Sequence, residues 1–111
     1  MITDKLLIDR GYKQMSANKV IWPYAECLFQ KRLTDSNGIL LFWNVVKYPA
    51  IPSHRNKPDY MMEIQNNDPH FTLRLHRIKD IQWAEDMCVA VWDRLGSEYC
   101  ELFNKQVEEK L

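Results

Sequence analysis

Residues 29–48 read FQKRLTDSNGILLFWNVVKY, and this stretch decides the fold. Its centre, Thr34–Gly38, contains an Asn-Gly pair, and both residue types tolerate the positive φ that tight hairpin turns require. The second arm, Ile39–Tyr48, is apolar on both of the faces that alternate along a strand. The pattern predicts a β-hairpin whose second arm is an inner strand, covered on at least one face by the C-terminal helical segment.

Two shorter elements precede the hairpin. Thr3 is typical of a helix N-cap and Gly11 of the glycine just past a helix end, so a short helix is predicted between them. Residues 12–18 are predicted to form a polar connection. Val20–Tyr24 is strand-like, but Pro23 cannot donate to a ladder and restricts this segment to an edge strand or an extended lead-in.

Strand and helix patterns also follow the hairpin. A loop with three prolines, Pro49–Asp59, leads to Tyr60–Gln65 and then to Phe71–His76, which alternate as two further strands. Asp80 is predicted to cap a C-terminal helix that has an apolar stripe at helical spacing. The Gly96-Ser97 pair is either a break between two helices or a kink in a single one.

The elements together predict an α+β fold in one domain, residues 1–111, which is long enough to bury a core without disulfides or metals. The predicted fold is a four-stranded antiparallel meander with a short N-terminal helix and a long or broken C-terminal helix packed on the sheet. Antiparallel pairing is favoured because turns and a loop, rather than helical crossovers, join the strands.

The apolar second arm raises a packing problem, because one helix cannot cover both of its faces. The face with Leu40, Phe42 and Val46 is predicted to lie under the C-terminal helix. The N-terminal helix is predicted to cover part of the other face and to leave an apolar patch exposed. Such a patch usually marks a protein partner or a self-dimer. Its residues are Ile39, Leu41, Trp43 and Val45.

Charge and composition exclude several classes of protein. The 15 basic and 15 acidic residues cancel, so no net charge steers the chain toward nucleic acid or a membrane. The charge is nevertheless divided, with 12 basic and 7 acidic residues in 1–79 against 3 and 8 in 80–111. No apolar run reaches the roughly 18 residues of a transmembrane helix, and the N-terminal residues lack the pattern of a secretory signal. A cytoplasmic protein is therefore expected.

No residue pattern specifies a reaction or a cofactor. The three cysteines include no Cys-x-x-Cys pair and are expected to be buried free thiols. The three histidines, His54, His70 and His76, form no zinc pattern. A nucleophilic pair of Cys27 with His76 needs a partly exposed thiol, whereas Cys27 lies on the apolar parity of its strand. Glycine-rich phosphate loops are absent. The prediction is a protein that is not an enzyme and has no metal or cofactor.

The opening DKLLIDRGYKQ at 4–14, followed by Phe29–Arg32, Asp35 and Gly38, resembles a family of small proteins encoded in phages and prophages of Gram-positive bacteria. The resemblance covers about half of the chain, chiefly 4–48, and the later segments agree in layout more than in residues. It implies a phage accessory gene acting in the host bacterial cytoplasm, and it implies no chemistry. By analogy of setting, some small phage proteins inhibit host defence systems, including CRISPR effectors, by binding them.

Two functions are therefore predicted as alternatives. The first is a non-enzymatic protein that binds a host or phage protein, as an inhibitor of host defence, with a homodimer also possible. The second is a small nucleic-acid-binding module that uses a basic strip on the outward face of the sheet. Lys31 and Lys79, which are not among the candidate binding residues, would belong to this strip. The candidate binding residues are Trp43, Arg32, His54, Arg55, Lys57, Arg74, His76 and Arg77.

Overall fold

The computed structural model of the protein describes residues 1–34, 38, 40–51, 53, 56–67 and 70–96. Within these ranges five strands form one antiparallel sheet in the order β1-β2-β3-β4-β5, which confirms the α+β class and the meander. A π-helical turn, Trp92–Gly96, continues the second helix, and Ser97 lies outside the described residues. The elements are α1 (Asp4–Asp9), β1 (Lys13–Met15), β2 (Cys27–Thr34), β3 (Leu40–Tyr48), β4 (Asp59–Asn67), β5 (His70–Leu75) and α2 (Ile81–Val91).

The sheet has one strand more than the four that were predicted. The additional strand, β1, lies in the segment predicted as a polar connection, and its Lys13 and Met15 pair with Gln30 and Leu28 of β2. An edge strand pairs on one side only, so a short exposed segment can fill this position without an apolar pattern. Hydrophobic periodicity therefore does not reveal β1.

The segment Val20–Tyr24, predicted to be extended, is instead part of a turn. The Asn18 carbonyl accepts hydrogen bonds from the amides of Ile21 at 3.2 Å and Trp22 at 2.8 Å. The Asn18 side chain also accepts one from the Val20 amide at 2.9 Å. Asparagine side chains that bond to nearby backbone favour turns over strands, and here this local effect exceeds the apolar, β-prone composition.

The predicted helix starts are confirmed. The Thr3 hydroxyl accepts a hydrogen bond from the Leu6 amide at 3.1 Å, and the Asp80 carboxylate accepts one from the Trp83 amide at 3.0 Å. Gly11 follows α1 with a φ of 94°, the left-handed conformation in which glycine ends helices at little cost. Residues of α1 and α2 belong to one core cluster with the sheet, so both helices lie on the same face.

The main core lies between this face and the two helices. It is formed by buried residues from three strands, β2, β3 and β4, and from both helices, and Phe29, Val45 and Leu7 are completely buried in it. Leu41 and Trp43 are buried in the same core, so the predicted apolar patch is wrong for the described residues, and Ile39 lies outside them. The other buried residues of the main core are Ile2, Tyr12, Cys27, Tyr60, Met62, Ile64, Ile78, Ile81, Ala84, Cys88 and Trp92.

The opposite face of the sheet is covered at one end by the turn after β1. Trp22 and Ala25 pack there on Leu28, Val46 and Met61 and form a second small core. The prediction that Leu40, Phe42 and Val46 lie under the C-terminal helix is therefore wrong. Val46 belongs to the second core, and Leu40 is 47% exposed. β3 is apolar on both faces because the helices pack on one of them and the turn after β1 packs on the other.

A buried carboxylate connects both helices to the sheet. Glu85 of α2 contacts Lys31 of β2, with 3.0 Å between Oε2 and Nζ, and its Oε1 accepts a hydrogen bond from Arg10 Nε at 2.7 Å. The Lys31 ammonium also lies 4.5 Å from the centre of the Tyr12 ring and 5.5 Å from that of Trp43. A lysine on the core-facing side of β2 is thus balanced by one carboxylate and two aromatic faces.

We expect Glu85→Gln to lower the free energy of unfolding by about 3 kcal/mol, because it leaves two largely desolvated cations without a carboxylate. Denaturant unfolding measures the change. Asp93→Asn, at an exposed acidic position, is the matched control and should change the value by no more than about 0.5 kcal/mol. Equal small effects of the two substitutions would contradict the role of Glu85.

Candidate functional site

The basic strip that was predicted across the sheet is not continuous. Arg32 lies over the Phe42 ring, 5.3 Å from its centre, and Arg74 donates to Glu63 at 2.7 Å. Both arginines lie on the face opposite the helices, but on β2 and β5 they are separated by two strands. Lys31 is on the other face beneath the helices. These cations therefore do not form one surface.

Arg74 instead ends a row of polar side chains that crosses four strands. The Gln30 amide donates to Asn44 at 2.8 Å, and Asn44 donates to Glu63 at 3.3 Å. These residues are register partners in the sheet, and Asn44 and Glu63 are buried. A buried carboxylate requires a cation or donors, so Arg74 has a structural task that sequence periodicity does not indicate.

The remaining predicted residues have different positions. Trp43 is only 4% exposed, so it cannot serve as an exposed contact or stacking surface. His76 is exposed at the end of β5. His54 and Arg55 lie outside the described residues. The two that come together are Lys57 and Arg77, which line a groove at one end of the sheet.

This groove has a volume of about 1190 Å³ and a mainly apolar lining. Three segments that are distant in sequence form it: residues 1–5, residues 56–60 and residues 77–79, together with Lys47 of β3. Five of the lining residues are cations and two are carboxylates. The cations are Lys5, Lys47, Lys57, Arg77 and Lys79, and the carboxylates are Asp4 and Asp59.

A cluster around Lys47 holds the groove segments together. Its Nζ lies 3.0 Å from Asp4 Oδ2 and 3.0 Å from a Glu26 carboxylate oxygen. The Tyr60 hydroxyl donates to Asp4 Oδ1 at 3.1 Å, and the Ile78 amide donates to the Tyr60 carbonyl at 3.0 Å. The start of α1, two strands and the β5–α2 connection are thus joined through groups that line the groove.

The ionisable groups of this cluster are perturbed by their surroundings. Burial by itself lowers the pKa of Lys47, but hydrogen bonds to Asp4 and Glu26 outweigh it and raise that pKa above its usual range. Burial, followed by the effect of the Asp4 carboxylate, raises the pKa of Tyr60 to about 12. Both groups therefore keep their protons, which is the state that preserves the hydrogen bonds of the cluster.

Arg77 is the only non-glycine residue with positive φ in the described part of the chain, at 52°. Its side chain is 85% exposed and 3.8 Å from Asp59 Oδ2. A left-handed conformation costs an arginine roughly 1 kcal/mol. The neighbouring Ile78, which is buried and bonded to Tyr60, holds the backbone in this conformation. Arg77 lines the groove from this position.

The cysteines do not extend the site. Cys27 and Cys88 are buried and free, and burial raises the pKa of both thiols, to about 12 for Cys88. Such thiols are poor nucleophiles at neutral pH. Cys100 is outside the described residues. Among the residues that the structure describes, no three His, Cys, Asp or Glu side chains are grouped in a way that could hold a metal ion.

The groove contains residues that sequence reasoning missed. Thr3 and Asp4 were assigned only to the start of a helix and Tyr60 only to a strand, and nothing in their pattern indicates a common surface. The sequence did contain one signal of this site. Lys47 lies on the same face of its strand as Trp43 and Val45, and a charge on an apolar face needs a partner of opposite charge. That partner is Asp4, which lies 43 positions earlier in the chain.

Comparisons of the chain with protein-family models, with curated proteins and with solved structures found no match. Among the described helices, none combines the length and the apolar character needed to cross a bilayer.

We expect stability to fall at alkaline pH, partly through Tyr60. Its pKa is raised from 10.0 to about 12 in the folded protein, so its contribution is complete below pH 10 and is lost as the pH rises through 12. Between pH 10 and pH 12, the free energy of unfolding of Tyr60→Phe should fall less steeply than that of wild type, by up to about 1.4 kcal/mol per pH unit. At neutral pH the variant should be less stable by about 1 kcal/mol, because the bond to Asp4 is lost.

Denaturant unfolding of both proteins over a pH series measures this difference. The other groups that titrate in the same range are common to the two proteins and cancel in the comparison. Parallel pH profiles would show that the Tyr60 hydroxyl does not titrate as the structure implies.

Proposed function

We propose that the protein is a non-enzymatic binding domain and that the groove at the end of its sheet is the surface that contacts a partner protein. The observation that carries the proposal is the combination of an apolar floor with a cationic rim in a groove of about 1190 Å³. Concave sites with an apolar lining and a few charged groups are the usual form of a binding site. Among the described residues that line the groove, none is arranged as a nucleophile with an adjacent base.

The setting of this proposal comes from the sequence. The resemblance to small phage and prophage proteins supports a phage accessory role, in which the partner is a host or phage protein in the bacterial cytoplasm. Inhibition of a host defence system, such as a CRISPR effector, is the role proposed within that setting. A protein that blocks another by occupying its surface needs no catalytic group, and a preformed groove lowers the entropy cost of binding.

Protein binding is favoured over nucleic-acid binding by the distribution of charge. Arg32, Arg74 and Lys31, which were expected to form one basic strip, are separated and engaged by Phe42, Glu63 and Glu85. Because these cations form no continuous positive surface within the described residues, a phosphate backbone has few simultaneous contacts there. The groove cations are accompanied by two carboxylates, a mixture typical of contacts with protein.

Affinity capture from a nuclease-treated lysate of a Gram-positive bacterium tests the proposal. Lys57→Glu combined with Lys79→Glu reverses the charge of the rim, and Lys13→Glu combined with Arg94→Glu reverses two exposed cations elsewhere. We expect a protein that wild type and the control double variant retain, and that the rim double variant loses, because reversed charges repel the partner.

Retention of the same proteins by all three forms would overturn the groove as the contact surface. Capture that occurs from an untreated lysate but not from the nuclease-treated one would instead support the nucleic-acid alternative. Circular dichroism of each variant verifies that the fold is unchanged.

A further inference from the structure

We propose that the groove binds an acidic peptide segment that carries a large apolar side chain as its anchor. This inference rests on the proposed function and specifies the chemistry of the partner. The occupant would place its apolar side chain on the floor of the groove and its carboxylates against the lysines of the rim.

The floor provides the apolar half of this recognition. Ile2, Tyr60 and Ile78 line the groove and are continuous with the main core. The Tyr60 hydroxyl donates a hydrogen bond to Asp4. Tyr60 therefore contributes its aromatic ring to the groove and no unsatisfied polar group. Burial of one leucine-sized side chain on such a surface contributes about 1.5–3 kcal/mol, which is enough for an anchor and too little for binding without other contacts.

The rim provides the charged half. Within the described residues, Lys57 and Lys79 pair with no carboxylate, whereas the other groove cations do: Lys47 with Asp4, Arg77 with Asp59 and Lys5 with Asp9. The two lysines belong to two different segments of the groove, residues 56–60 and residues 77–79. Their charge is therefore the part of the groove that an occupant can neutralise, and carboxylates of a peptide complement it.

A peptide fits this charge pattern better than a nucleic acid does. A nucleic acid carries phosphates at short, regular intervals, and some of them would meet the Asp4 and Asp59 carboxylates. A peptide can place carboxylates opposite Lys57 and Lys79 and neutral residues elsewhere. A sugar-phosphate backbone also offers no large apolar group that could pack on the floor of the groove, whereas a leucine or phenylalanine side chain of a peptide does.

Arg77 offers a way to separate binding from folding. Its guanidinium is exposed at the rim and makes only a long contact with Asp59, while its backbone is in the left-handed conformation. Asparagine tolerates that conformation better than arginine. Arg77→Asn should therefore leave the unfolding midpoint unchanged or raised, and should weaken peptide binding about threefold through the lost charge.

Fluorescence anisotropy with labelled peptides tests the inference. The probe is a short peptide rich in glutamate that contains two leucines. Two matched probes replace either all glutamates with lysine or both leucines with alanine, and a single-stranded oligothymidine of similar length represents nucleic acid. We expect only the first probe to bind well, with each peptide replacement weakening binding at least about tenfold.

The protein variants complete the design. The rim double variant Lys57→Glu with Lys79→Glu should bind the acidic probe at least about tenfold more weakly, and the control pair Lys13→Glu with Arg94→Glu should bind it as wild type does. Equal binding of the acidic and the lysine peptide, or preference for oligothymidine, would overturn the inference. Concentration-dependent dimerisation that the rim variant abolishes would overturn it in favour of a second copy, since residues 98–109 of this chain are themselves acidic and apolar.

The two proposals can fail separately. If capture yields a partner that depends on the rim but the acidic probe does not bind, the ligand class is wrong and the proposed function stands. If the acidic probe binds selectively but no protein is captured through the rim, the groove recognises the proposed chemistry and the partner-binding function is wrong.

Discussion

The carboxylate of Glu85 is the interaction on which the arrangement of both helices depends. It lies in the interface between α2 and the sheet, where it contacts Lys31 and Arg10. Arg10 follows the last turn of α1, so one side chain connects the end of the first helix, the middle of β2 and the second turn of α2. Because an isolated buried charge is strongly unfavourable, these three segments are stable together in one relative position.

This position determines where the groove lies. With both helices on the same face, the start of α1 comes beside the β5–α2 connection at one end of the sheet. Lys47, Asp4 and Tyr60 join the two there through hydrogen bonds and an ion pair. The groove is thus bounded by structural contacts, while Lys57 and Lys79 on its rim pair with no carboxylate of the described residues. A rigid base with unengaged charges is the arrangement that binding sites require.

Much of the fold could be predicted from local patterns, and the errors have identifiable causes. Thr3 and Asp80 marked the helix starts because capping needs only a side chain and an amide three residues away. The face of β3 was assigned wrongly because both of its parities are apolar. Its register settles the matter: Val45 lies beside Phe29 and Met62, and Trp43 beside Ile64. The inward residues of the flanking strands thus determine which face of β3 joins them.

The candidate site was predicted less well. Lys57 and Arg77 were included among the binding residues, but Arg77 as a member of a basic strip that the fold does not assemble and Lys57 as part of a loop beside that strip. Lys31, Arg32 and Arg74 look alike in sequence as cations on strands. The structure gives each of them a different local partner. A charge count cannot distinguish a solvated cation from one that neutralises a buried carboxylate, because burial depends on neighbours distant in sequence.

By itself, the sequence determined the α+β class, the antiparallel strands, the starts of both helices and the end of the first, because these follow from hydrophobic periodicity and capping within a few residues. Only the tertiary structure decided which sheet face lies under the helices, that a polar segment adds an edge strand, and that residues 1–5, 56–60 and 77–79 meet in a groove. These features depend on strand register and on pairings such as Lys47 with Asp4, 43 positions apart. Such long-range contacts leave little trace in a single sequence.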